Sequence, residues 1–319
     1  MTGASSGLGL ECARALLSSD PGWHVVLAVR DADRGHAAAA GTGAPDRCTV
    51  KVLDLASLAS VDNFIREYGC DGASRPPTHA LVCNAGIQVV SGSRVTEDGI
   101  ELTFGVNHLG HFALVRGLLD YLARPARIVV VSSDTHDPSK VKGMPAPAYT
   151  SAAALAQPAT GPEGRCRYTT SKLCNVMFAY EMDRRLGAGT QGVTVNAFNP
   201  GLMPGSGLAR DYGRVQRFAS RFVMPALRVL PQVHSTRESG ANLAALASDP
   251  RFEHLTGRYF DGLKEIRSST DSYDRAKALE LWQASERLLS EIHERQTSGT
   301  VSRRSEGPPP PAPAGDAGG

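Results

Sequence analysis

Residues 2–11 read TGASSGLGLE. The glycines Gly3, Gly7 and Gly9 let the backbone turn sharply and come close to a ligand, because a residue without a Cβ reaches conformations and contacts closed to others. Ser5 and Ser6 lie within the same turn, and a helix beginning near Leu8 aims its first, unbonded N–H groups at whatever sits there. A pyrophosphate fits such a cradle. Glycine spacing alone is weak grounds for one, since many strand-to-helix turns use glycine for steric reasons only. The turn also raises a question of its own. In a doubly wound sheet a strand of about five apolar residues, the central one and buried on both faces, leads into it. Only Met1 precedes Thr2 in this sequence. The expectation is a sheet whose first strand is missing from this N-terminus, to be supplied from an upstream start, with natural truncation as the alternative.

Outward from the turn, short β-branched runs alternate with helix-length segments: WHVVLAVR, TVKVLDL, HALVCNAG, RIVVVSS, VTVNAFNPG and GRYF. Such alternation predicts α/β architecture, a doubly wound parallel sheet of Rossmann type with helices on both faces. A last helix is predicted near Asp274 to Arg295, where Leu281, Trp282, Ser285, Leu288, Leu289 and Ile292 form one stripe. One domain over 1–296 follows. Residues 297–319, TSGTVSRRSEGPPPPAPAGDAGG, hold too few apolar groups for a core and are predicted to be a disordered tail. A proline-recognition ligand there is the less favoured reading.

The chain of 319 residues is 41% hydrophobic and 21% charged, with 34 basic and 32 acidic residues giving a net charge of +2. That balance argues for neither a nucleic-acid nor a membrane partner. No apolar run approaches a membrane span and no leader pattern opens the chain, so the cytoplasm is the expected compartment. The six cysteines are scattered without CxxC pairs, which predicts reduced thiols and no metal site.

The second strand counts toward a dinucleotide. Numbering the strand expected ahead of the turn as the first, WHVVLAVR ends in Arg30, where a carboxylate would accept from the 2′-hydroxyl of NAD and an arginine suits the 2′-phosphate of NADP. A plain surface arginine is the alternative. Asp54 ends the third strand, within reach of an adenine amine. Asn84, Ala85 and Gly86 follow the fourth, where small residues leave room for a ribose.

Chemistry is expected from Tyr168 and Lys172 in YTTSK. Four residues apart on a helix, they share a face, and the ammonium favours the ionised phenol. Free tyrosine titrates near ~10, so acid–base work near neutrality needs such a neighbour. YxxxK by itself is common. Here it stands with Ser133, at the end of the fifth strand and placed to hydrogen-bond a substrate carbonyl, a role Ser132 could also fill. Asn107, in the helical GVNHLGHF, could offer an amide or a backbone group to hold a water in a proton relay to the lysine.

Together these residues resemble the short-chain dehydrogenases/reductases. TGASSGLG, Asp54–Leu55, NAG at Asn84, Asn107, Ser133, YTTSK and NPG ending in Pro200 and Gly201 stand in that family's order over about residues 1–262. The resemblance implies hydride transfer to or from a nicotinamide, NADP(H) favoured, with Tyr168 as acid–base, Lys172 on the ribose and beside the tyrosine, Ser133 orienting the carbonyl and Asn107 completing a tetrad. WHVVLAVRD, VNHLGHF, SKLCN and KALELWQASERLL are closer to the branch holding light-dependent protochlorophyllide reductases and retinol dehydrogenases. Protochlorophyllide reductases carry a functional cysteine directly after the proline–glycine pair, where this sequence has Leu202. A general carbonyl or alcohol oxidoreductase acting on a small molecule is therefore preferred over a light-driven one, and over a nucleotide-binding protein that has lost its chemistry.

Residues 202–232 are expected to cover the substrate. Arg210, Arg214, Arg217 and Arg221 recur at helical spacing, with Val215, Phe218, Phe222 and Val223 available to another face. One reading is a lid whose apolar side covers a lipophilic substrate and whose arginines meet carboxylates or anionic lipid heads. The favoured one is a solvated basic face.

Overall fold

A computed structural model describes residues 1–71, 76–90, 92–141, 143–158, 164–189, 191–201 and 235–305, the side chains of 299–305 excepted. In chain order its elements are α1 (Gly7–Ser19), β1 (Val25–Val29), α2 (Ala32–Ala40), β2 (Cys48–Val52), α3 (Leu58–Cys70) and β3 (Thr78–Cys83). Helix α4 follows in three parts, Leu102–Phe104, a π-turn Gly105–Leu109, and Gly110–Leu118. Then come β4 (Leu122–Val131), α5 (Ala152–Ala156), α6 (Gly164–Arg185), β5 (Val193–Asn199), α7 (Thr236–Ser248), β6 (Tyr259–Asp261), β7 (Lys264–Ile266) and α8 (Arg275–Ser305). Side chains start several of the helices. Asp31 accepts from Arg34 N ahead of α2, Ser57 from Ser60 N ahead of α3, and Ser235 from Glu238 N ahead of α7, each satisfying a first-turn N–H.

The architecture is the predicted parallel α/β sheet with helices on both faces. β3, β4, β5 and β6 pair in parallel in that order, and β7 closes the edge antiparallel to β6, a strand the sequence pattern did not suggest. β1 and β2 form a separate parallel pair. Between the two parts runs Met1–Gly3. Thr2 makes one parallel bridge to Ala28, its N–H donates to Val82 O at 3.0 Å, and Gly3 N donates to Ala28 O at 3.0 Å. One bridge thus occupies the position of a full central strand.

Two apolar layers flank the sheet. On one side α1 and α7 pack Leu16, Leu17, Leu243 and Leu246 against Val82, Val129 and Phe198. On the other, α3, α4, α6 and α8 enclose Phe112, Phe178 and Trp282, with the Phe112 and Trp282 rings edge-on at 4.9 Å. Each such side chain contributes about 1.5–3 kcal/mol when fully buried.

Helix α8 continues through Ser305, past the expected end at Arg295 and into the stretch read as tail. Asp137–Cys166, a stretch rich in proline, alanine and glycine that reads as a loop in sequence, contains α5 and the first residues of α6. The expected lid at 202–232 and the tail from 306 lie outside the described residues.

Candidate active site

The glycine turn sits between Met1–Thr2 and the N-terminus of α1. Gly3 has φ +66°, and a Cβ on Gly9 would lie 2.6 Å from Gly3 O and 2.7 Å from Asn84 Nδ2. No larger residue fits at position 9 without moving backbone. Ser6 precedes α1 in extended conformation and its side chain caps nothing, so N–H groups of this 13-residue helix remain for a ligand. Open space surrounds Gly7, and Ser5 is half-buried beside it. These residues fit a pyrophosphate. Leu8 belongs to the turn by backbone only, since its side chain lies in the α1–α7 layer. Leu55 is likewise a core residue.

Around the turn the other expected contacts divide. Arg30 is exposed just beyond β1. Asp54 follows β2 by two residues, and its Oδ1 accepts from Ala56 N at 2.9 Å. Asn84 is a brace rather than an open floor: its Nδ2 donates to Thr2 O at 2.9 Å and to Gly3 O at 3.3 Å. Ala85 lies against Gly3, and a Cβ on Gly86 would be 3.4 Å from Asn107 Oδ1 and 3.5 Å from Lys172 Nζ. Glycine therefore keeps this floor low.

Tyr168 and Lys172 stand on α6, both buried, with Lys172 Nζ 5.6 Å from the centre of the tyrosine ring. Nζ also donates to Val131 O at 3.2 Å. Burial pulls the Lys172 ammonium down from its ordinary value to about 8. Of the two serines at the end of β4, Ser132 is committed to structure, its hydroxyl donating to Lys172 O at 2.7 Å in the core. Ser133 is partly exposed and its Oγ accepts from Thr135 N at 3.3 Å.

Asn107 lies in the π-turn, fully buried. Its amide is spent on protein: Oδ1 accepts from Ile87 N at 2.8 Å, while Nδ2 donates to Ile87 O at 2.9 Å and Ser171 Oγ at 3.0 Å. The amide is therefore not free for a relay water, and the Asn107 carbonyl itself accepts from His111 Nδ1 at 3.2 Å. Ser171 Oγ in turn donates to Tyr168 O at 2.7 Å, joining Asn107 to the helical turn that carries the phenol.

Past Ser133 the wall becomes charged. His136 Nδ1 donates to Ser133 O at 2.6 Å and its Nε2 accepts from Ser269 N at 3.1 Å, which fixes the neutral tautomer. Burial lowers its pKa to about 4. Tyr259 donates its hydroxyl to Asp134 Oδ1 at 3.1 Å, Asp134 N donates to Asn199 Oδ1 at 3.1 Å, and Asn199 Nδ2 donates to Asp261 Oδ1 at 2.8 Å. Burial and the nearby Asp261 raise the Asp134 carboxyl above its usual range. Pro200 O accepts from Ser239 Oγ at 2.7 Å, and Gly201 follows with φ +75°. Leu202 lies outside the described residues.

Among the described residues that the sequence reading did not single out are Thr2, whose Oγ1 lies 2.9 Å from His111 Nε2, and His136. His111 follows Asn107 by one helical turn, and that spacing within VNHLGHF was the signal available. Among the described residues no cluster of metal-ligating side chains occurs, and no helix is long and apolar enough to cross a membrane.

The sequence model of the short chain dehydrogenase family matches residues 1–157. A WW domain-containing oxidoreductase from Danio rerio is 36% identical over 296 residues, covering 91% of this chain and 68% of the relative. A protochlorophyllide reductase from Avena sativa is 34% identical over 315 residues, covering 91% and 98%. Among solved structures, an uncharacterized protein from Mycobacterium paratuberculosis superposes with a TM-score of 0.65 at 30% identity, over 90% of this chain and 91% of that one.

Proposed function

The chain belongs to the short-chain dehydrogenases/reductases, and on that premise we propose that it is an NADP(H)-dependent oxidoreductase interconverting a carbonyl and an alcohol on a small-molecule substrate. The observation that carries the reading is Lys172, a buried ammonium 5.6 Å from the Tyr168 ring, one turn along α6 and against the floor made by Gly86.

When bound, the nicotinamide supplies or takes up the hydride. The glycine turn and the first N–H groups of α1 hold its pyrophosphate, and Arg30 meets the 2′-phosphate of NADP(H). Ser133 donates a hydrogen bond to the substrate oxygen, and Tyr168 gives that oxygen its proton during reduction. Lys172, charged below its pKa of about 8, stabilises the phenolate left behind. The Asn107 carbonyl then holds a water from which the proton is replaced. Leu202 stands directly after the Pro200–Gly201 pair. A leucine has no proton to give, so the light-driven reaction of protochlorophyllide reductases is not our reading for this chain.

NADPH oxidation across a panel of ketones and aldehydes tests the proposal. We expect turnover with at least one carbonyl, and loss of about a hundredfold or more in Tyr168→Phe with NADPH binding unchanged. Full turnover in that variant would discard the assigned mechanism.

A further inference from the structure

We propose that His111 is a positioning residue, the link through which the glycine turn that receives the cofactor sets the carbonyl of Asn107. What the two ends do rests on the functional reading above; the link itself rests on hydrogen bonds.

Those bonds have a single consistent assignment. Thr2 Oγ1 lies 2.9 Å from Asn84 N and 3.0 Å from Ala85 N, both of which can only donate. A hydroxyl has one proton and two acceptor positions. With both positions filled, the Thr2 proton goes to the remaining neighbour, His111 Nε2, at 2.9 Å. Nε2 is then bare, so the neutral ring carries its proton on Nδ1, which donates to Asn107 O at 3.2 Å. The ring is 1% exposed, and burial with the nearby Lys172 charge keeps it neutral down to about pH 4.

Both ends of this link reach working parts of the site. At one end Thr2 gathers the backbone of Asn84 and Ala85 and, through Asn84 Nδ2, the carbonyls of Thr2 and Gly3. At the other, the π-turn shifts the helical ladder, with Gly110 N bonded to Gly105 O, and the imidazole takes hold of the carbonyl beside the shift. The Asn107 amide is already clamped to Ile87 and Ser171, so the carbonyl direction is what His111 adds. A rigid ring with an acceptor on one edge and a donor on the other spans both partners. Asparagine or glutamine spans only one. The other histidine of this helix serves a different purpose: His108 bonds Ser285 Oγ at 3.0 Å and stacks among Phe104, Phe112 and Phe178, away from the turn.

The test uses the full chain. In ligand-free protein, the ¹⁵N imidazole signals of His111 should show Nδ1 protonated and Nε2 bare; a protonated Nε2 overturns the proposal. His111→Asn keeps a donor near the Nδ1 position and drops Thr2, whereas His111→Gln keeps an acceptor near Nε2 and drops Asn107. We expect His111→Asn to weaken NADPH binding, read by cofactor fluorescence, by about fivefold while retaining most of its turnover at saturating NADPH. His111→Gln should bind NADPH as the parent does and lose about tenfold in kcat. Equal changes in both readouts for both variants, with matched melting temperatures, would mark a merely structural histidine. Should either variant fail to fold, Thr2→Ser against Thr2→Val gives the same decision: the imidazole signals should hold in the first and lose the fixed tautomer in the second, and unchanged signals in both refute the link. A panel with no carbonyl turnover would count against the functional reading alone, because the spectroscopic and NADPH-binding arms need no substrate.

Discussion

The wall of the site around the glycine turn and the wall beyond Ser133 hold their shapes by different means. On the first, neutral groups lock one another. Thr2, Asn84, His111 and Asn107 bond almost entirely to backbone or to each other, and a Cβ added at Gly3 or Gly9 would come within 3 Å of the neighbouring chain. On the second, Asp134, Asp261, Lys140, Tyr259 and His136 place two carboxylates and an ammonium within one small network, with Lys140 Nζ 3.8 Å from Asp134 Oδ1. A neutral lattice fixes a single shape, whereas a charged network responds to what approaches it.

Gly9→Ala should strike this contrast hardest. Its methyl would press on Gly3 O and Asn84 Nδ2 at 2.6 and 2.7 Å, forcing the turn apart. We expect NADPH affinity to drop about a hundredfold and stability by about 1–3 kcal/mol, measured by fluorescence titration and denaturant melts. Undiminished NADPH binding would mean that the turn yields easily. Arg30→Asp comes next: on the exposed rim of the same wall, it should shift preference from NADPH toward NADH by about tenfold without changing stability, and an unchanged cofactor ratio would remove Arg30 from recognition. Smallest is Tyr259→Phe on the charged wall. Loss of the bond to Asp134 should cost about 1 kcal/mol at neutral pH and leave NADPH binding alone. Since that bond favours the ionised carboxylate and burial already raises its pKa, the deficit should narrow as pH falls and Asp134 takes up its proton. A change in cofactor affinity in this variant would show that the two walls are not independent.

Much of this was legible because it is local. TGASSGLG predicts a turn into a helix from its own glycines, alternating β-branched runs predict the strands, and YTTSK predicts a shared helical face within five residues. The sequence favours Ser133 over Ser132, but the bond from Ser132 to Lys172 O, forty residues away, is visible only in the fold. Thr2 meets Asn84 and His111 across separations of 82 and 109 residues, and His136 meets Ser269 across 133. No period or spacing along the chain encodes such encounters; they exist only after the sheet has ordered its strands. The π-turn at Asn107 was hidden for another reason. GVNHLGHF is equally compatible with an unbroken helix, and the bonds from the Asn107 amide to Ile87 and Ser171 that accompany the π-turn are long-range.

Helix α8 has a bearing on how the chain reaches its native state. Trp282 stacks on Phe178 at 6.0 Å and meets Phe112 edge-on, while Ser285 bonds His108 from 177 residues away. The apolar layer over α4 and α6 therefore lacks part of its cover until the last helix docks. During synthesis that surface stays open while most of the chain has already left the ribosome, and contacts of such long range form late. The interval between the emergence of α6 and the arrival of Trp282 is when a nascent chain of this kind most needs a chaperone, and when mutations in α8 would act on yield before they act on activity.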